Sequence, residues 1–239
     1  KKSAFKADAL KGVTLDIPEG EFFGIIGHTG SGKSTFIQHL NALLTVQSGT
    51  LTVGDIDLSK GKKTDKKLLK VLRSKVGMVF QYPEYQLFAE TVFEDVAFGY
   101  KNFNPQADEN CIKAAVYDAL TRVGLDYSIA KKSPFELSGG QKRRVAIAGV
   151  IVTSPEVLVL DEPVAGLDPI GKRELMRLLH ELHSTTCKTV IIVSHDMDEV
   201  AENCNRAAVF SDGRVVGEGT TKEIFDRGEE LSSLRLGVP

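Results

Sequence analysis

Eight consecutive residues, Gly27-His28-Thr29-Gly30-Ser31-Gly32-Lys33-Ser34, fit the pattern G-x-x-x-x-G-K-S/T at every fixed position. Glycines so spaced let successive backbone N–H groups converge on phosphate oxygens, and a helix starting near Lys33 adds the positive end of its dipole. The chemistry is that of a nucleoside triphosphate: Lys33 reaches the β- and γ-phosphates, and the Ser34 hydroxyl ligates Mg2+. A second constellation supplies what this one lacks. The apolar run Val157-Leu158-Val159-Leu160 ends in Asp161-Glu162. A carboxylate at the C-terminal edge of a buried strand holds Mg2+, usually through water, which is the role of Asp161. Glu162 is placed to polarise the attacking water as general base. Adjacent carboxylates after a strand are commonly only a solvated loop, but Lys33 and Ser34 provide the other half of a site here.

A third segment, Leu137-Ser138-Gly139-Gly140-Gln141, places a good N-cap and two glycines before the basic run Lys142-Arg143-Arg144. Ser138 caps the helix that follows, and the glycines expose backbone donors at its positive end. One chain thus carries two anion-binding helix starts, separated by a long, helix-rich stretch. An antiparallel dimer in which each subunit's Ser138 segment covers its partner's ATP makes use of both.

These residues need particular elements to hold them. Residues 22–26 form a short apolar run ending at Gly27, and residues 35–44 place Phe36, Ile37, Leu40, Leu43 and Leu44 at helical spacing. The phosphate loop is therefore expected at a strand-to-helix turn, the context such a loop requires. Residues 50–58 read as a strand pair turning at Gly54-Asp55, and residues 76–80 as a buried strand. The lysine cluster at 60–70 reads as a solvated loop and helix start, with contact to a partner or a lipid headgroup as the alternative. From residue 82 to about 133 helices dominate. Pro105 suits a helix N-terminus, and Ile112, Ala115, Val116, Ala119, Leu120 and Val123 make one apolar face that Gly124 ends. Residues 157–160 and 189–193 are apolar or β-branched throughout, as in a parallel sheet covered on both faces, with a helix at 175–182 between them. Residues 207–210 and 215–216 flank Asp212-Gly213 as a closing hairpin. A helical subdomain inserted into an α/β core follows, without internal repeats or low-complexity segments.

Composition narrows the function classes. The 239 residues are 42% hydrophobic and 26% charged with a net charge of -2, so bulk electrostatics do not drive the chain onto nucleic acid or anionic lipid. Cys111, Cys187 and Cys204 are odd in number, lack metal-ligand spacing and read as reduced thiols of a cytosolic protein. No stretch approaches the length of an apolar membrane span, and residues 1–10 lack the apolar region of a signal peptide. Work at a membrane is then expected from its surface, through a partner.

The order of these motifs resembles the ATP-binding-cassette ATPases. The phosphate loop, Gln81 after a strand, Leu137 to Gln141, Asp161-Glu162, Ala165-Gly166-Leu167-Asp168 and His195 occur in that family's order and cover nearly the whole chain. The resemblance implies a P-loop NTPase (RecA-like) α/β core at 1–81 and 153–222, with an N-terminal antiparallel β-subdomain. It also implies an α-helical subdomain inserted at about 82–152 and a tail at 223–239. ATP and Mg2+ are the implied cofactors. Gly27 through Thr35, with Gln81 and Asp161, bind nucleotide, and Ser34, Gln81 and Asp161 ligate the metal. Glu162 and His195 are the implied catalytic pair, His195 at the γ-phosphate, and Asp168 belongs to the loop facing the partner ATPase.

A finer likeness lies in Gly27-His28-Thr29-Gly30, Phe80-Gln81-Tyr82-Pro83-Glu84-Tyr85-Gln86-Leu87-Phe88, Phe98-Gly99 with Lys101-Asn102-Phe103, and Ser133-Pro134-Phe135-Glu136-Leu137, which are similar to the energy-coupling factor transporters. These are vitamin and metal-ion importers, and the chain resembles their second ATPase subunit. That implies a heterodimer with a sister ATPase, a transmembrane coupling subunit, a substrate-binding membrane subunit, no nucleic acid, and a peripheral seat on the cytoplasmic face of the cell membrane. A conventional importer ATPase serving a soluble binding protein is the alternative. DNA-repair and chromosome ATPases are disfavoured by the absence of sustained heptads, and translation factors by the single Leu137 to Gln141 segment. A non-hydrolysing regulator is disfavoured by Glu162 and His195. In the family the adenine-stacking aromatic lies on an N-terminal strand ahead of Lys1. Phe5 is a poor substitute, and the adenine contacts stay open. Val164 stands where threonine is usual, and relatives continue past Pro239.

Overall fold

The computed structural model describes residues 8–228 and Leu231. Strand β1 (Phe22–Gly27) is buried at all six positions and leads through the glycine-rich turn into helix α1 (Lys33–Leu40). Two short strands, β2 (Thr52–Val53) and β3 (Ile56–Asp57), precede α2 (Lys66–Lys75) and β4 (Val76–Val79). Then come α3 (Val92–Phe103), α4 (Glu109–Arg122) and α5 (Gly139–Ile151). Beyond them β5 (Val157–Asp161), α6 (Pro169–Thr185) and β6 (Thr189–Val193) lead to α7 (Met197–Asn203). The hairpin β7 (Arg206–Ser211) and β8 (Arg214–Thr220) runs into α8 (Thr221–Phe225).

The chain divides into two compact units, one built from residues 1–65 with 191–239, the other from 66–190. In the first, β1 pairs in parallel with β7 (Ile25 opposite Ala208, Gly27 opposite Phe210), and β7 pairs antiparallel with β8. Phe22, Phe23, Ile25, Ile26, Ala208 and Phe210 are wholly or almost wholly buried, each large side chain contributing roughly 1.5–3 kcal/mol of hydrophobic stabilisation. The β7–β8 turn takes positive φ at Asp212 and Gly213 (48° and 78°), as a two-residue hairpin requires. The separate antiparallel pair β2–β3 turns at Gly54-Asp55 as the sequence predicts.

In the second unit β4 pairs in parallel with β5, Val79 opposite Leu160. Helices α3, α4 and α5 pack on one another, and α5 also packs on β4. Val96, Val116, Leu120, Val145 and Leu158 form its core. This unit takes in β4 and β5 together with the helices expected at about 82–152.

Several local expectations are corrected. Helix α1 ends at Leu40 rather than residue 44, because Ala42 turns to φ 54° and leaves Leu43 and Leu44 exposed. Asp108, not Pro105, starts α4, its carboxylate accepting from the Cys111 N–H at 2.8 Å. Helix α6 is longer than residues 175–182 because Asp168 caps it and Pro169 occupies its first position. The helices α7 and α8 lacked an apolar repeat long enough to be read from sequence. The expected tail from residue 223 begins inside α8, while its last residues, 232–239, and Phe5 lie outside the described residues.

The three cysteines differ in reactivity. Burial pushes the Cys187 thiol up to about 12 and raises that of Cys204 as well, while the exposed Cys111 is raised by its hydrogen bond to Asp108. At pH 8 only about one Cys187 in ten thousand is thiolate, the reactive form. Maleimide labelling of the native protein is expected to take one equivalent, at Cys111, and three after denaturation, read by mass spectrometry. More than one equivalent under native conditions would contradict the burial.

Candidate nucleotide site

The phosphate loop of the first unit is built around two backbone demands. At Gly27 (φ 151°) a Cβ would run into the carbonyl of Phe210 on the paired strand. At Gly32 (φ 104°), the N-cap of α1, a Cβ would lie 2.7 Å from the Ala9 carbonyl oxygen. Only glycine meets both constraints without strain. The Lys33 side chain is folded into the loop and buried. Its Nζ donates to the carbonyls of Gly27 at 2.6 Å and His28 at 3.1 Å, so the cation is held within the glycine-rich turn. Ser34 is exposed beside it, Thr35 is half-buried, and Gly30 has open space around it.

The hairpin tip locks this loop, a support the sequence did not reveal. Gly213 N–H donates to the Ser31 carbonyl at 2.9 Å, and Lys11 N–H donates to the Gly213 carbonyl at 2.7 Å. His28 Nε2 stands 4.0 Å from an Asp212 carboxylate oxygen. Among the described residues the buried Ser31 hydroxyl has no hydrogen-bond partner, which costs about 1–3 kcal/mol and marks a loop held by its surroundings.

His195 reaches the same edge of this unit through its neighbour. Ser194 N–H donates to the Ile25 carbonyl of β1 at 3.1 Å, two residues before the phosphate loop opens. The Ser194 hydroxyl donates to Glu199 at 2.8 Å and accepts from the Asp196 N–H at 3.0 Å, while Asp196 caps α7. His195 is left exposed at the exit of β6. Ser194 and Glu199 are residues that sequence reasoning missed, since neither belongs to a motif.

In the second unit the parallel pairing of β4 and β5 brings Gln81 and Asp161 out at one edge, because Val79 and Leu160 are register partners. Gln81 is exposed and Asp161 half-buried. The residues that follow them, Tyr82 and Glu162, both take left-handed φ (53° and 50°), unusual for side chains of this size. Gln81 and Asp161 offer oxygen donors, the kind that suits Mg2+ and not a softer metal. Asp168 is exposed and accepts from the Gly171 N–H at 2.7 Å as N-cap of α6, so the residue expected in the partner loop also has a structural role.

Ser138 caps α5 with a complete capping box: its hydroxyl accepts from the Gln141 N–H at 3.3 Å, and the Gln141 side chain accepts from the Ser138 N–H at 3.1 Å. The buried Leu137 anchors the approach. Gly139 and Gly140 are exposed, and a Cβ on either would meet nothing within 4 Å. Among the described residues no contact calls for glycine there. The open space suits a group arriving from outside.

The aromatic segment after Gln81 is held from below. Phe88 and Ala89 donate their N–H groups to the two oxygens of Asp95, at 3.2 and 3.1 Å. Burial raises this carboxyl above the usual range against those two bonds. Tyr85 is 84% exposed and Phe88 62%, with Phe88 stacked edge-on against Phe98 at 5.0 Å.

A family model described as ABC transporter matches residues 10–165. The chain is 54% identical over 98% of its length to the energy-coupling factor transporter ATP-binding protein EcfA2 of Symbiobacterium thermophilum, covering 79% of that protein. It is 49% identical over 97% of its length to EcfA2 of Caldanaerobacter subterraneus, again covering 79%. Among solved structures, cbiO1 from Clostridium perfringens, part of the ABC transporter complex cbiONQ, superposes with a TM-score of 0.80 at 41% identity over 95% of this chain and 88% of that one. The dimeric post-hydrolysis state of the cassette MJ0796 with ADP and Pi superposes at 0.79 with 31% identity, over 92% of this chain and 94% of the other.

Proposed function

The chain belongs to the ABC transporter family, and from that premise we propose that it energises an energy-coupling factor importer of a vitamin or a metal ion. It is an ATPase subunit of such a transporter, working with a partner ATPase and transporter components. The observation that carries the reading is the identity of 54% over 98% of the chain to a protein of that name. We further propose that the partner ATPase is a sister chain and that a transmembrane coupling subunit and a substrate-binding membrane subunit complete the assembly. Among the described residues no helix is long and apolar enough to cross a membrane. In this proposal the membrane subunits hold the chain at the cytoplasmic face.

Each site residue has a role in the proposed cycle. Backbone donors from Gly27 to Thr35 cradle the phosphates, and Lys33 neutralises charge that develops on the γ-phosphoryl group. Ser34, Gln81 and Asp161 would hold Mg2+ with the phosphates, and the ion supplies further charge neutralisation when bound. Glu162 takes the proton of the attacking water, and His195 contacts the γ-phosphate. Ser138, Gly139 and Gly140 present hydroxyl and N–H donors to the nucleotide of the partner ATPase.

The helical region at about 82–152 docks on the membrane subunits through Tyr82, Tyr85 and Phe88, which are exposed and have no catalytic use. Charge at Tyr85 is expected to release the membrane partners while ATP binding persists: Tyr85→Asp should lower co-purification at least tenfold, because it buries a carboxylate in an apolar contact. Retention of the partners by Tyr85→Asp, with normal import, places docking elsewhere. Affinity purification of the native complex tests the wider reading. Two small integral membrane partners and import without a soluble binding protein are expected. Import that depends on a soluble binding protein refutes it.

A further inference from the structure

We propose that Arg143 is a positioning residue that ties the docking segment to the loop carrying Glu162, so that movement of one is delivered to the other. The inference deepens the reading above and rests on it. Arg143 lies in the second turn of α5 and is only 5% exposed. Its Nε donates to Glu84 Oε2 at 3.2 Å and its Nη2 to Glu84 Oε1 at 3.0 Å, a two-pronged pair. Nη1 donates to the Pro163 carbonyl at 3.0 Å, and Nη2 also donates to the Ala165 carbonyl at 3.1 Å. One planar, always-charged group thus grips a carboxylate from one segment and two carbonyls from another.

Both gripped segments are short and singly built. Glu84 sits in the 3-10 turn Pro83–Gln86, directly after Tyr82 at φ 53°, and its side chain is 17% exposed. Pro163 and Ala165 sit in a double turn after Glu162 at φ 50°, in which Ala165 N–H donates to the Glu162 carbonyl and Leu167 N–H to the Val164 carbonyl, both at 3.1 Å. The two segments also lie close beside the fork: the Tyr82 ring stands 3.5 Å from where a Cβ on Gly166 would be. The loop then ends on Asp168, which caps α6. A partner pressing on Tyr85 or Phe88 shifts the 3-10 turn, Glu84 moves with it, and Arg143 passes the shift to the backbone immediately after the general base. Displacement of a catalytic group by about 1 Å costs up to a hundredfold in rate. Small movements at the docking segment therefore suffice to set turnover.

The test uses the assembled transporter in lipid, alongside the ATPase pair alone, with Arg143→Lys, Glu84→Gln and the double variant. Lysine keeps the charge but cannot reach the carboxylate and both carbonyls together. Arg143→Lys is expected to lower kcat about tenfold to a hundredfold while KM for ATP stays within about twofold. Glu84→Gln is expected to lower substrate imported per ATP hydrolysed about tenfold. Because both act through one connection, the double variant should import no worse than Arg143→Lys alone. A proportionate change in KM, multiplying effects in the double variant, or normal kcat in Arg143→Lys would each overturn the proposal. If Arg143→Lys fails to fold, Glu84→Gln decides alone, with unaltered import per ATP as the refuting result. Failure of the docking reading is a separate outcome: Tyr85→Asp then leaves the partners attached, while the kcat and KM of Arg143→Lys in the ATPase pair still decide the tie to the loop.

Discussion

Glu162→Gln is expected to bind ATP normally and to hydrolyse it roughly 10²- to 10⁴-fold more slowly in the assembled transporter, the usual cost of removing a positioned general base. Glutamine matches glutamate in size and polarity, so the turn at φ 50° and the bond from Ala165 N–H to the residue 162 carbonyl survive the substitution. What disappears is the ability to accept the water's proton. The proposed site places nucleotide affinity chiefly in the phosphate loop, where the Lys33 ammonium and the backbone donors are untouched. Single-turnover hydrolysis together with equilibrium ATP binding checks both halves of the expectation. Hydrolysis within about threefold of the unaltered protein would assign the base to another group.

The second large effect is expected at Ser138, and it should appear in the wrong subunit. Ser138→Arg removes the cap of α5 and sets a cation at the positive end of a helix whose first two residues face open space. Loss of the cap alone costs about 1 kcal/mol of stability, and Ser138→Ala isolates that part. The arginine in addition fills the space a neighbouring nucleotide would use. In a mixed dimer with Ser138→Arg in this chain only, turnover at the partner's phosphate loop should fall at least a hundredfold, the scale of losing an oxyanion donor. ATP binding at this chain's own Lys33 should remain nearly intact. ATP drives closure only by binding the closed dimer better than the open one, and in the proposed arrangement the Ser138 contacts supply that difference. Loss confined to this chain's own site refutes the composite arrangement.

The phosphate loop was legible because its demands are local: a buried strand, glycines at fixed places and a helix at once. The capping role of Ser138 was legible for the same reason, since cap and Gln141 are three residues apart. The end of α1 was not, because Leu43 and Leu44 continue the apolar spacing while Ala42 turns the backbone the other way. Arg143 was legible only as one member of a basic run at the start of α5. Its partners, Glu84, Pro163 and Ala165, lie 20 to 59 positions away, and no periodicity reports a contact at that range. Ser194, Glu199 and the hold of the Asp212-Gly213 turn on Ser31 were invisible on similar grounds. They support the site through tertiary contacts, and their residue types are ordinary for loops and hairpins.

Glu162 occupies a backbone region that costs a bulky residue of order 1–3 kcal/mol and costs glycine almost nothing. With Glu162 in its proposed role as general base, the chain carries a built-in conflict between durability and turnover at one position. A library selected for heat resistance alone would be drawn toward glycine or asparagine at 162, giving a sturdier protein that grips ATP and leaves it uncleaved. Engineering for robustness has to hold that residue fixed and look for its gains elsewhere.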